Sequence, residues 1–189
     1  MKEHQSPQSL PSDYFLYTTR LGFRFCGRMI WSWPLVFGGD YAVTRLIDSR
    51  GQLSQEKVQE KLLGEIATAQ KYGVQYWPIF LLSTGDHGGC CGLRPYDLEA
   101  NIYEIGFHIH SALWGRGYAT EAARGVIAYA FDELKTAALF AGHNPRNEAS
   151  GKLLMKLGFQ YTHDEYYAPT GLEHPSYLLT AEEYRQIDA

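Results

Sequence analysis

Two short runs in this 189-residue chain carry residue types that can hold or move charge. The first is Trp114-Gly115-Arg116-Gly117-Tyr118-Ala119-Thr120-Glu121. Its glycines let the backbone turn sharply and bring N–H groups close to a ligand. A helical pattern follows, with Ala119, Ala122, Ala123, Val126, Ala130 and Leu134 at spacings near three and four. A glycine turn opening a helix points unpaired N–H groups and the positive dipole end at one spot. That is anion-binding chemistry; Arg116 adds a positive charge, and a diphosphate suits it. The second run, Tyr103-Glu104-Ile105-Gly106-Phe107-His108-Ile109, has the β-branched and aromatic content of a buried strand. Alternation puts Glu104, Gly106 and His108 on one face of it. A carboxylate there is costly unless paired or wetted.

The elements around these runs must hold them in place. Ala137 to Ala141 reads as a short strand. Asn144-Pro145-Arg146-Asn147-Glu148-Ala149-Ser150 carries helix-start chemistry, with Asn144 or Asn147 as N-cap and Pro145 suited to a first helical position. The helix runs through Leu153, Leu154 and Leu157 and stops at Gly158. Upstream, Arg20 to Phe25 alternates as a half-buried strand, and Gln52 to Lys71 is an amphipathic helix with stripe Val58, Leu62, Ile66 and Ala69. Ser54 is its expected N-cap, and Gly73 lies just past its end. Met29 to Asp48 reads as short helical turns. Tyr76 to Ser83 and Cys90 to Arg94 form an antiparallel hairpin around Thr84–Gly89, and Pro78 argues for an edge or a bulge. Phe159 to Tyr167 and Pro175 to Leu179 read as the last strands, and Thr180-Ala181-Glu182-Glu183 as a capping box. The sum is an α/β (α+β) chain with a mixed sheet and helices on its faces.

These pieces together resemble the GNAT N-acetyltransferase superfamily: Glu104-Ile105-Gly106, the run Trp114 to Ala122, Asn147-x-x-Ser150, and Lys156-Leu157-Gly158-Phe159. The branch they are most similar to is that of the ribosomal-protein N-terminal acetyltransferases. The resemblance implies a mostly antiparallel central sheet, with acetyl-CoA as co-substrate wedged where two central strands splay apart. It implies that backbone N–H groups from Gly115 to Thr120 bind the CoA pyrophosphate. In the family pattern Gln/Arg-x-x-Gly-x-Gly/Ala, Gly117 and Ala119 match and Trp114 replaces the first residue. The resemblance sets Asn147, with Asn144 near it, beside the pantetheine arm and Ser150 beside the thioester sulfur. Many relatives carry a tyrosine general acid where this chain has Leu154, which leaves Ser150, or a water it holds, as the proton source.

Acetyl transfer needs a neutral amine, so a base near the acceptor helps. Glu104, acting through water, is the first candidate, and His108, with an ordinary pKa near ~6.5, the second. The backbone N–H of His108 or Ile109 is the expected donor to the thioester oxygen. Trp31, Trp33, Phe37 and Tyr41 are candidates to line the acceptor pocket, with core packing as the competing role. The acceptor is a protein N-terminus or a small-molecule amine; a non-catalytic acyl-CoA-binding module is the alternative in another class.

Composition narrows the rest. A net charge of −4 without a long basic run disfavours nucleic acid as partner. G-x-G-x-x-G dinucleotide binding is set aside because Thr120 replaces the third glycine and no early βαβ unit precedes it. His87, Cys90 and Cys91 have poor metal-ligand spacing and lack a fourth donor, so no metal is expected. His110 and His143 read as surface or cleft-edge residues. An odd count of three cysteines without a secretion signal points to reduced thiols and a cytoplasmic setting. No apolar run approaches the ~20 residues that span a bilayer. Residues 1–13 are expected to be a loose tail on one domain spanning 14–189, and a homodimer is compatible with all of this.

Overall fold

Each main helix starts and stops on a local signal. Helix α2, Gln55–Tyr72, begins where the Ser54 side chain accepts from the Lys57 N–H at 3.3 Å and ends on left-handed Gly73 with φ 74°. The computed structural model describes residues 13–26, 40–51 and 53–187. Trp31, Trp33 and Phe37 lie outside the described residues, as does most of the expected tail. A short helix α1, Tyr41–Thr44, falls within the region expected to hold helical turns.

The described residues form eight strands in the sheet order β1-β2-β3-β4-β5-β6-β8-β7. They are β1 Leu16–Tyr17, β2 Leu21–Phe23, β3 Tyr76–Leu81, β4 His87–Asp97, β5 Ile102–Ile109, β6 Ala138–Gly142, β7 Gln160–Tyr167 and β8 Leu172–Thr180. All neighbours are antiparallel except β5 and β6. That parallel pair is short, joining Ile102–Glu104 to Ala138–Phe140. Beyond it β5 continues to Ile109 without a partner on that side, so the sheet opens there.

Strand alternation divides the core between two faces. Trp77, Cys91, Ile105 and Leu139 pack with Ala122, Ala123, Val126 and Ile127 of α3, Tyr118–Ala128. Tyr76 and Cys90 pack on the other face with Val58, Leu62 and Ile66 of α2. After Ala128 the helix widens into a π turn, Tyr129–Glu133, so the regular α-helix stops short of Leu134. Helix α4 spans Glu148–Lys156, and α5 spans Ala181–Ile187. The capping box at α5 is reciprocal: Glu183 N–H donates to Thr180 Oγ1 at 3.2 Å, and Thr180 N–H to Glu183 Oε2 at 2.8 Å.

Pro78 corrects the edge expectation. Strand β3 is interior, paired with both β2 and β4, with a register irregularity one residue later, at Ile79/Phe80. Regular β2 pairing stops at Phe23–Ile79, so the missing Pro78 N–H falls where the ladder ends, and the Pro78 carbonyl still accepts from Arg24 at 3.2 Å. The two-residue strand β1 had too little sequence to announce itself.

Candidate active site

The glycine turn makes a cradle of backbone N–H groups at the start of α3. Gly115 (φ 73°) and Gly117 (φ 79°) take left-handed backbone, and Gly117 is the N-cap of α3. Among the described residues, no N–H from Gly115 to Thr120 donates to a protein acceptor. Glu121, in the first turn, could repel an anion but is already engaged. It accepts from Thr18 Oγ1 at 2.7 Å, the Arg20 N–H at 2.7 Å and Arg20 Nε at 2.5 Å. Burial alone would raise its pKa; these hydrogen bonds outweigh it and hold the carboxylate low. Arg20 also donates to the Arg116 carbonyl at 3.0 Å and lies 4.1 Å over the Tyr118 ring, which fixes the turn from outside.

In front of the cradle lies a cleft of about 620 Å³, running from His108 and Ile109 past Trp114, Gly115 and Gly117–Thr120 to Asn147 and Ser150. Its cations are Arg45 and Arg146; the expected Arg116 is not on its wall. Trp114 lines it and donates its Nε1–H to the Ile109 carbonyl at 2.8 Å. Neither arginine stood out in sequence, because single basic residues in loops carry no spacing signal.

A second cavity, about 290 Å³, meets the first and shares Leu46, Phe107, His108, Asn147 and Ser150 with it. Asn147 is the N-cap of α4, its side chain accepting from the Ser150 N–H at 3.3 Å. Asn144 is therefore not the cap. It lines the second cavity, accepting from the Arg146 N–H at 2.9 Å and donating to the Leu46 carbonyl at 3.1 Å. These bonds tie two loops together, and Asn144 is not on the lining of the first cleft. Tyr41 lines neither cavity and is 65% exposed.

Glu104, Gly106 and His108 all face the second cavity, together with Tyr76. The Tyr76 hydroxyl donates to Glu104 Oε1 at 2.9 Å. Behind it, the Arg94 guanidinium lies 4.0 Å over the Tyr76 ring. Arg94 is paired to Glu65 of α2, with Nε at 2.8 Å and a second contact through Nη2. The other Glu65 oxygen accepts the Tyr76 N–H at 2.8 Å. Burial pushes the Glu104 carboxyl up, against the pull of Arg94 and the Tyr76 hydrogen bond; Glu65 and Glu165 add to the rise. Burial, then the positive charges of Arg94 and Lys61, push His108 down to about 3. His108 is thus a neutral and feeble base beside Glu104.

Sequence reasoning missed Glu65, Arg94 and Tyr76. One signal was present: Glu65 stands seven residues after Val58, on the apolar stripe, and is only 3% exposed. His143, read as a cleft-edge residue, lines the second cavity. Its Nδ1 lies 2.8 Å from the Asn144 carbonyl, which can only accept, so Nδ1 carries the proton and Nε2 faces the Tyr177 hydroxyl at 3.5 Å.

Cys26, Cys90 and Cys91 are buried thiols, none of them in a disulfide. Burial raises the thiols of Cys90 and Cys91. Native protein at pH 8 is expected to leave all three unlabelled by a thiol-disulfide dye on the minute scale, with full labelling in denaturant; fast native labelling would contradict this burial. His87 Nδ1 pairs with His110 Nε2 at 3.0 Å. Among the described residues, no three His, Cys, Asp or Glu side chains gather as metal ligands do, and no helix is long and apolar enough to cross a membrane.

YkkB of Bacillus subtilis (strain 168), an uncharacterised protein, is 37% identical over 92 residues, covering 48% of this chain and 54% of YkkB. The chain spans about half the length of the curated relatives it matches most strongly. A GNAT-family acetyltransferase structure from Bacillus anthracis superposes with a TM-score of 0.74 at 22% identity, covering 88% of this chain and 98% of that one. RimL, a ribosomal L7/L12 α-N-protein acetyltransferase solved with coenzyme A, superposes with a TM-score of 0.68 at 14% identity, over 86% and 95%. The acetyltransferase (GNAT) domain profile matches residues 33–160, more than half of the sequence, and the chain belongs to that family.

Proposed function

We propose that the protein transfers an acetyl group from acetyl-CoA to a primary amine, by direct attack with both reactants held at once. The observation that carries this reading is the meeting of two cavities at Phe107, His108, Asn147 and Ser150. One cavity presents unspent N–H groups and arginines, which suit a diphosphate. The other presents a carboxylate whose burial makes it more basic. RimL, which shares the fold, is an α-amine acetyltransferase that binds coenzyme A.

The protein's own groups divide the work. The N–H groups of Gly115 to Thr120 and the side chains of Arg45 and Arg146 hold the diphosphate. Glu104, through a water, takes the proton the amine nitrogen sheds as its bond to the acetyl carbon forms. Ile109 stabilises the acetyl oxygen as charge builds on it. The phase of β5 supports this choice over His108: His110 N–H donates to the Gly88 carbonyl on β4 at 3.1 Å. Alternation then turns the His108 N–H toward β4 and the Ile109 N–H toward the opening. Ser150 donates a hydrogen bond to the sulfur as the carbon–sulfur bond breaks, and the thiolate takes its proton from solvent water. The thiol is a fair leaving group already, its pKa near ~8.5, so Ser150 contributes modestly. The products are an acetamide and free CoA thiol.

The test is thiol release from acetyl-CoA across a panel of amines, with CoA binding measured separately by calorimetry. CoA binding with no turnover on any amine would favour a non-catalytic acyl-CoA-binding module. Gly117→Ala is expected to weaken CoA binding about tenfold, because a non-glycine residue at positive φ costs roughly 1–2 kcal/mol and shifts the cradle. Unchanged affinity would remove the turn from the binding site.

A further inference from the structure

The two cavities have opposite electrical character. The larger cleft is lined by Arg45 and Arg146 against a single carboxylate, Glu148. Among the described residues, the smaller cavity is lined by two carboxylates, Glu104 and Glu165, and by no lysine or arginine. Of the histidines on its wall, burial and the charges of Arg94 and Lys61 lower His108, and burial with nearby His143 lowers His174. Between the carboxylates stand aromatic faces. Tyr96 stacks on Phe140 with ring centres 3.9 Å apart and planes 9° apart, and Tyr167 leans on His174 at 4.7 Å. Carboxylates and tyrosine faces together select cations.

One carboxylate is accounted for by the transfer reaction. Glu104 serves the reacting nitrogen, which must be neutral to attack. Glu165 lies on β7, away from the shared lining, and interacts electrostatically with Glu104 across the cavity. It makes no hydrogen bond to Glu104 that would let it take that proton directly. Tyr166 and Tyr167, on the same strand of the β7–β8 hairpin, also line the cavity and are partly open to solvent. The tip of that hairpin is tied down by the Ser49 N–H donating to the Pro169 carbonyl at 3.0 Å.

We infer that the acceptor is a short aliphatic diamine or polyamine, its reacting nitrogen at Glu104 and its second, protonated nitrogen held by Glu165 among the faces of Tyr96 and Tyr167. This rests on the acetyl-transfer reading and deepens it. One nitrogen gains the acetyl group and loses a proton, the CoA sulfur gains a proton, and the second ammonium leaves unchanged on a monoacetylated product.

The experiment compares 1,4-diaminobutane, butylamine and a short peptide with a free N-terminal serine as acceptors for the full chain. Values of kcat/KM are corrected for the number of amino groups and their neutral fraction. The diamine is expected to exceed butylamine by about tenfold, as a partly screened ion pair with aromatic contact supplies. The ratio should fall as salt rises. Glu165→Gln is expected to bring it close to one, and Glu165→Lys below one. Glu165 sits on an exposed edge strand, so both variants should fold; matching melting curves check this. A wild-type ratio near one, a ratio untouched in Glu165→Gln, or preference for the peptide would overturn the diamine assignment while leaving acetyl transfer standing. CoA binding without turnover of any amine would overturn both.

Discussion

Replacing Glu104 by glutamine is expected to lower kcat/KM by about 10²-fold or more, the range a positioned general base contributes. The loss should be largest below the acceptor's own pKa, where neutral amine is scarce and a base matters most. In the wild type, the rate climbs with pH as the Glu104 carboxyl, raised by burial, gives up its proton. In Glu104→Gln that limb disappears and only the amine's own ionisation remains. A pH profile identical to the wild type would remove Glu104 as the base. The variant carries a second, opposite signature in stability. A carboxyl raised in the folded state binds its proton more tightly there than in the unfolded chain. Stability therefore falls as pH rises from the ordinary carboxylate range through the raised value, and the cost is complete above it. Glutamine has no such cost and can still accept the Tyr76 hydroxyl. Glu104→Gln should melt higher than the wild type at pH 8 and no higher at pH 4. Lost activity with gained stability separates a strained functional group from a structural one.

The parts of this molecule that sequence made legible are those whose causes are local. Ser54 and Gly73 bracket α2 because an N-cap acceptor and a left-handed glycine act within a few residues of themselves. The same holds for Thr180 with Glu183, and for Asn147 with Ser150. Alternation along β5 correctly placed Glu104, Gly106 and His108 on one face, because period two is a property of the strand alone. What stayed hidden depends on residues far apart in the chain. Glu65 meets Arg94 across 29 positions, and Tyr76 meets Glu104 across 28. In sequence, the place of Glu65 on the apolar stripe of α2 marks it as buried but does not name its partner. His108 carries an ordinary imidazole pKa on paper, and only its enclosure beside Arg94 and Lys61 makes it a poor base. Asn144 and Asn147 were equally good caps until the Leu46 carbonyl claimed the amide of Asn144. The acidic character of the smaller cavity was invisible for the same reason: Glu104 and Glu165 face it from strands that are not neighbours in the sheet.

Glu65→Gln tests whether this hidden network tunes the base or merely supports it. The groups that act electrically on Glu104 are Arg94, Tyr76, Glu65 and Glu165. Glu65 cancels much of the Arg94 charge, so Glu104 need not, and its carboxyl is free to stay raised. Glutamine keeps one carbonyl oxygen, enough to accept from Arg94 or from the Tyr76 N–H but not from both, and it removes the compensating charge. Arg94 then bears on Glu104 alone, and the Glu104 carboxyl is pulled down. The acid limb of kcat/KM should move to lower pH, and the weaker base should turn over more slowly on its plateau. Stability is expected to drop by about 2 kcal/mol, below the 3–5 kcal/mol typical for breaking a fully buried pair. The discount follows from exposure: the Arg94 side chain is 36% accessible and keeps some water, whereas that of Glu65 is 2% accessible. A purely structural role for Glu65 would lower the melting temperature and leave the limb in place, and that outcome would sink the tuning argument. Removing both charges in Glu65→Gln/Arg94→Met separates the two cases further. Arg94 pulls the Glu104 carboxyl down more strongly than Glu65 pushes it up. The double variant should therefore move the acid limb the other way, above the wild-type position, and recover part of the lost stability, because no uncompensated buried charge remains.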